Sequence, residues 1–325
     1  MPFLPTIGNN DLPAYYDIWG ADYAARYNES WFTALERIYV PAILRSGRAE
    51  LAPDFANSFA AGGYYSVEIT GEDLMVISLN TNIFATNVAD KHSQSTLAEE
   101  QLAWLTATLK NTITPRVVII GHHPPGMSLY SLYRSEAAKA NWRLGHFEKF
   151  RTICSTAEGR IVGMFFGHEH QESFAVERDA GSGEEMGMFS IPSVSPVYQG
   201  QPSYCIAQLD EDKKLVDLMT YHTWLDYYTR THDEPQFFTY KSLGGILGVE
   251  ELSFEGILTA AANIIDESDG MKTCSALKNK IYQGRFVPTL PPHLHYCYST
   301  SMHTSSFIQC IEKYGYDGKK YIVNS

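Results

Sequence analysis

Two apolar runs in this chain, "RVVII" and "RIVGMFF", end the same way. Each meets a glycine and then histidine, as Gly121-His122-His123 and Gly167-His168-Glu169-His170. A short continuous apolar run reads as a buried strand, and glycine lets the backbone turn sharply where such a strand leaves its sheet. Imidazoles at that point face the mouth of the sheet rather than its core. Histidine is the commonest side-chain ligand for zinc and similar ions. One histidine in this position is adequately read as a hydrogen-bonded loop residue. Two Gly-His strand ends in one chain, one of them Gly-His-x-His, point to metal ligation. Pro124 and Pro125 stiffen the chain behind His122.

A third apolar run, "FLPTI", leads into Gly8-Asn9-Asn10-Asp11. Alone this is a turn sequence, but an asparagine carbonyl is an acceptable ligand for a hard or borderline cation. Between these points the patterning alternates. Helical spacing runs from Asp17 to Arg45, and two strands, "GGYYSVEI" and "LMVISLNTN", flank a turn at Thr70-Gly71-Glu72-Asp73. "STLAEEQLAWLTATLKNT" is an amphipathic helix with Ser95 or Thr96 as its cap, and "EAAKANWRLGHFEKFRTIC" reads as a second long helix. Strands dominate from "GMFSIPSVSP" to "KKLVDLMTYHTWL". The order predicts an α/β (α+β) catalytic domain over residues 1–228 and a small, mostly helical C-terminal subdomain over 229–325.

Lys and Arg number 25 against 37 Asp and Glu, a net charge of −12. That excludes a broad nucleic-acid-binding face, which needs basic patches for phosphates. No apolar run approaches the roughly 18 residues of a transmembrane helix. The first residues do not form a signal peptide. Cys154, Cys205, Cys274, Cys297 and Cys310 contain no CxxC pair, so a zinc–thiolate site is not expected. Three of them lie in the tail and permit a disulfide there, with buried reduced thiols as the alternative. Asn28-Glu29-Ser30 is a glycosylation sequon.

Taken together, Gly-Asn-x-Asp, Gly-His and Gly-His-x-His resemble the C-terminal half of the motif set of calcineurin-like metallophosphoesterases. "GGYYS", "VISLNTN", "EEQLAWL", "IIGHHPPG", "FFGHEHQESF", "IPSVSP" and "VDLMTYHTWL" are similar, in order and interval, to the acid sphingomyelinase-like phosphodiesterases. The resemblance runs from Gly8 to about Leu225, and "GNND" resembles the endopolyphosphatase branch of the same superfamily. It implies a metallophosphoesterase-type β-sandwich flanked by helices. It also implies that Asn9, His122 and His168 bind the second metal of a dinuclear pair, and that His170 binds the first. In the family the ions clamp a phosphate and activate a water. The ions are Zn²⁺, with Mn²⁺, Fe or Mg²⁺ as alternatives. Asn10 stands at the family's general-acid position; it can contact phosphate but cannot usefully move a proton. His123 is assigned no role.

The family's upstream Asp-x-His and Gly-Asp elements have no counterpart here, and Asp90-Lys91-His92 reads as a chance Asp-x-His in a polar loop. The expectation is an N-terminally incomplete chain, lacking its first strands, that holds at most one ion. The implied reaction is hydrolysis of phosphodiester or phosphoanhydride bonds in a small phosphoester or polyphosphate. An endopolyphosphatase-like hydrolase and a non-catalytic metal- or phosphate-binding relative are the alternatives. Lipid-surface contact through the C-terminal subdomain is a further expectation, as is a secreted, lysosomal or vacuolar location.

Overall fold

The computed structural model describes residues 2–14, 16–18, 20–135, 138–157, 159–179, 181–197, 200–239, 242–265 and 290–321. Along the chain the elements are α1 (Ala21–Tyr27), α2 (Trp31–Leu44), β1 (Ala49–Leu51), α3 (Phe55–Gly62), β2 (Tyr65–Ile69), β3 (Leu74–Ser78), α4 (Lys91–Asn111), β4 (Arg116–Gly121), α5 (Leu129–Ser135), α6 (Leu144–Ser155) and β5 (Ile161–Phe166). There follow β6 (Ser173–Arg178), β7 (Glu185–Ser190), β8 (Ser203–Leu209), β9 (Leu215–His222), α7 (Leu225–Thr231), β10 (Phe238–Thr239), α8 (Leu243–Leu247), α9 (Phe254–Ile265), α10 (Pro292–Thr300) and α11 (Thr304–Lys313). This is the expected mixture of sheets with flanking helices. It divides into two compact units, residues 1–124 with 141–166, and residues 125–140 with 167–325.

In the first unit, β1 pairs antiparallel with β2 and β2 with β3, while β3, β4 and β5 run parallel. The parallel strands are the two with Gly-His ends, together with the "LMVIS" strand. Val117, Ile119 and Gly121 are the buried positions of β4, in strict alternation. Helix α4 begins earlier than expected. Its cap is Asp90, whose Oδ1 accepts from His92 and Ser93 N–H at 3.1 Å each. Ser95 and Thr96 lie inside the helix and bond back to the Lys91 and His92 carbonyls. Asp90-Lys91-His92 therefore opens a helix instead of lying in a loop.

Three other expectations are corrected. The helical pattern from Asp17 to Arg45 breaks at Asn28, where the backbone turns left-handed (φ 50°), and Ser30 caps α2. "FLPTI" forms no strand. Side chains hold this segment instead: the Tyr65 hydroxyl donates to Pro5 O (2.5 Å), Thr6 Oγ1 to Leu79 O (3.2 Å) and Asn82 Nδ2 to Ile7 O (2.9 Å). Pro2 and Pro5 cannot donate to a ladder, which favours side-chain tethering over pairing. The second long helix is α6 alone. Residues 138–143 form no helix: Ala140 bridges Met127, Trp142 bridges Ala85, and Arg143 N–H donates to Phe84 O (3.0 Å). Tertiary pairing overrides the helix propensity of the alanines. Glu136 and Ala137 lie outside the described residues.

In the second unit β6 and β7 form an antiparallel hairpin, and β8, β9 and β10 a three-stranded antiparallel sheet. The tail is helical in α9, α10 and α11, as expected. α10 packs on β6, with the Ser173 and Tyr298 hydroxyls 3.1 Å apart. Met127, Leu129 and Leu132 share one core with Leu294, Tyr298, Phe307 and Ile311. Cys297 and Cys310 are joined by a disulfide within it. Cys274 lies outside the described residues.

This core holds a titratable group. His295 is 5% exposed, and burial pushes its pKa down to about 4. The unfolded chain therefore binds a proton near pH 6.5 that the folded chain refuses. Stability is full above that pH and falls as pH drops toward 4. Between pH 7.5 and 4.5 His295 costs about 2–3 kcal/mol. Urea unfolding at both values should show the loss, and His295→Leu should reduce it by about that amount.

Candidate functional site

"GNND" folds as one 3₁₀ turn, Asn9–Asp11. Asp11 Oδ2 accepts from Gly8 N–H at 2.7 Å, and Asp11 N–H returns to Gly8 O at 3.1 Å. The carboxylate thus closes its own turn. Gly8 eases the close approach, because a Cβ there would lie 3.2 Å from the His122 ring. Across that gap Asn9 Oδ1 lies 2.6 Å from His122 Nε2. Two of the expected ligands are thereby brought together within the first unit. Asn10 beside them is exposed, with its Oδ1 3.4 Å from Asn9 Nδ2.

His122 is aimed by its backbone. The Thr81 hydroxyl oxygen accepts from His122 N–H (3.0 Å) and from His123 N–H (2.7 Å). At Gly121, just before them, a Cβ would stand 2.7 Å from the Thr81 methyl. Thr81 is fixed in turn by its neighbours. Asn80 Nδ2 donates to Gly62 O (2.8 Å), and Asn82 Nδ2 to Asn80 Oδ1 (3.0 Å) as well as to Ile7 O. Helix α4 presents Gln101, which exchanges two bonds with the Asn80 backbone (2.9 and 3.2 Å). Gln94 donates to Ile83 O (2.9 Å) and Ala85 O (2.7 Å). All five of these polar residues are fully buried. Apart from Asn82 Oδ1, which is buried without a partner among the described residues, these amide groups are hydrogen-bonded, and such a network specifies one loop geometry. In sequence "LNTN" continues the strand "LMVISLNTN", and the signal for this loop is a run of polar residues with no turn glycine.

His123 was assigned no role, and it is 1% exposed. Its Nε2 lies 3.0 Å from the Tyr16 hydroxyl, which also accepts from Asn87 Nδ2 at 3.0 Å. Its carbonyl accepts from the Trp142 indole (3.0 Å). This histidine is part of the wall that stiffens the turn carrying His122.

In the second unit, β5 has ended before Gly167, and His168 and His170 both take left-handed backbone (φ 67° and 57°). Non-glycine residues in that region carry strain, which clusters at functional loops. The residues around them hold the loop. Glu169, buried, accepts from Tyr130 N–H at the start of α5 (2.8 Å), and Glu172 accepts from the Thr220 hydroxyl (2.7 Å). Both histidines are half-buried. Desolvation lowers the His170 pKa, with a backbone hydrogen bond at Val197 opposing it. The neutral imidazole, the form that ligates metal, is favoured.

No protein-family model matches the chain. Among curated proteins it is 28% identical over 229 residues to a cyclic GMP-AMP phosphodiesterase of Bos taurus, covering 67% of this chain and 46% of that protein. It is also 28% identical to sphingomyelinase phosphodiesterase D of Dictyostelium discoideum, over 67% of this chain and 47% of that one. An endopolyphosphatase of Neurospora crassa is 27% identical over 58% of this chain and 24% of its own length. The chain spans about half the length of the two phosphodiesterases it matches. The chain is therefore homologous to acid sphingomyelinase-like phosphodiesterases and to an endopolyphosphatase, the two groups that its motifs resemble.

Proposed function

From this kinship we propose that the protein is a metal-dependent hydrolase of phosphodiester or phosphoanhydride bonds. In this proposal Asn9, His122 and His168 are ligands of one divalent cation, and His170 stands at the position of a ligand to a second. The observation that carries the reading is the Asn9–His122 pair. A carbonyl oxygen and an imidazole nitrogen are held 2.6 Å apart on two separately braced turns, joined by the Nε2 proton, and a cation that displaces that proton would meet both atoms. A donor set of one amide oxygen and two imidazoles, with a position left open, suits zinc or another borderline ion. Such an ion, when bound, draws charge from a phosphate oxygen and lowers the pKa of water.

The chain's own residues then define the leaving group. Asn10, exposed beside Asn9, can donate a hydrogen bond to a phosphate oxygen but cannot protonate an alkoxide. That favours a bond whose leaving group departs as an anion, such as a phosphoanhydride. The endopolyphosphatase relative agrees with this preference. The secreted, lysosomal or vacuolar setting is part of the same proposal.

The test is release of phosphate from short-chain polyphosphate, beside cleavage of a simple alkyl phosphodiester, with Zn²⁺ or Mn²⁺ supplied. Metal-dependent turnover, faster on the anhydride, is expected. Bound metal with no turnover of either compound would remove the hydrolase reading. It would leave the second one, a metal- or phosphate-binding protein, which the Asn9–His122 pair also supports.

A further inference from the structure

We propose that Asn28 is a site of N-linked glycosylation. Asn28-Glu29-Ser30 is the chain's one Asn-x-Ser/Thr sequence with x other than proline. The structure sets it in the turn between α1 and α2, with Asn28 and Ser30 exposed. Asn28 takes left-handed backbone, and its N–H donates to Ala24 O at 2.9 Å. Its side chain is thus carried outward on the closing turn of a helix. The next residues are engaged locally: Glu29 pairs with Arg37, and Ser30 Oγ accepts from Thr33 N–H at 3.0 Å.

Helix chemistry alone gives an account of these residues, because asparagine suits a left-handed C-cap and serine an N-cap. A second observation, in the other unit, adds a different reason. Cys297 and Cys310 are joined as a disulfide in a buried core. Persisting disulfides belong to oxidising compartments such as the secretory pathway. A chain that passes through that compartment presents its sequon to the enzymes that glycosylate such sites, and an exposed interhelical turn accommodates the bulk. Ser30 then serves twice, as the hydroxyl that the sequon requires and, after folding, as the cap of α2.

The donor is an oligosaccharide on a polyprenyl diphosphate. Asn28 Nδ2 forms a bond to the anomeric carbon, and the bond from that carbon to the diphosphate oxygen breaks. The leaving diphosphate keeps the electron pair, and the amide gives up one proton to a base of the transferase.

The test is translation of the full chain behind a cleavable secretory leader in the presence of microsomes, read on protease-protected product. That readout does not depend on folding of the variant. One slower band is expected, collapsed by a peptide-N-glycosidase, which leaves aspartate at position 28. Asn28→Gln and Ser30→Ala should abolish the band, and Ser30→Thr should keep it. Protected wild-type chain without a glycan would overturn the proposal. So would a shift that survives Asn28→Gln.

Discussion

Thr81→Val should lower stability by about 2–3 kcal/mol and weaken divalent-metal binding about 10- to 100-fold. The change preserves shape and removes one oxygen. That oxygen accepts both the His122 and His123 N–H groups, so two backbone donors lose their partner at once. Thr81 is fully buried, with Asn80, Asn82, Gln94 and Gln101 packed around its loop. Leaving buried donors unpaired carries their full desolvation cost. The loosened turn also stops aiming His122 at Asn9, and outer-shell partners of metal ligands commonly matter at this scale. Urea unfolding and zinc titration measure the two effects. Thr81→Ser keeps the acceptor and should restore most of both. Wild-type metal affinity in Thr81→Val would show that the clamp does not position the ligand.

This clamp marks the limit of what sequence patterning conveys. The Gly-His strand ends were legible because an apolar run, a glycine and a histidine each state a local preference, and the three agree. Asn9 was legible only beside them, since "GNND" by itself is a turn, and a turn is what it forms. Thr81 acts on residues 41 and 42 positions away in the chain, and no local rule marks a threonine for that. Residues 138–143 failed for the same reason: alanine and lysine favour helix locally, while bridges to Met127 and Ala85 decide the outcome. His123 looked expendable because its partner Tyr16 lies 107 residues away. The cap of α4 was a nearer miss. Asp90 is a standard N-cap, obscured by the polar run that follows it.

The second large effect concerns the ligand itself. His122→Ala should reduce metal-dependent phosphate release by about 1000-fold, some 4 kcal/mol of transition-state stabilisation. The imidazole is half-buried, and the turn that carries it keeps its backbone bonds to Thr81. The fold should therefore survive, with a stability change of about 1 kcal/mol or less. A large activity loss with a small stability loss separates a ligand from a packing residue. His123→Ala should do the reverse, because it empties a buried site and breaks the contact with Tyr16.

The most direct measurement is the metal content of the purified chain after equilibration with Zn²⁺ and removal of the unbound ion. Asn9, His122 and His168 are three neutral donors, enough for one ion with a position left open. One ion per chain is predicted for the wild type, and none for His122→Ala or His168→Ala. A wild-type chain that retains no ion, or histidine variants that retain it at full occupancy, would contradict the assignment of Asn9, His122 and His168.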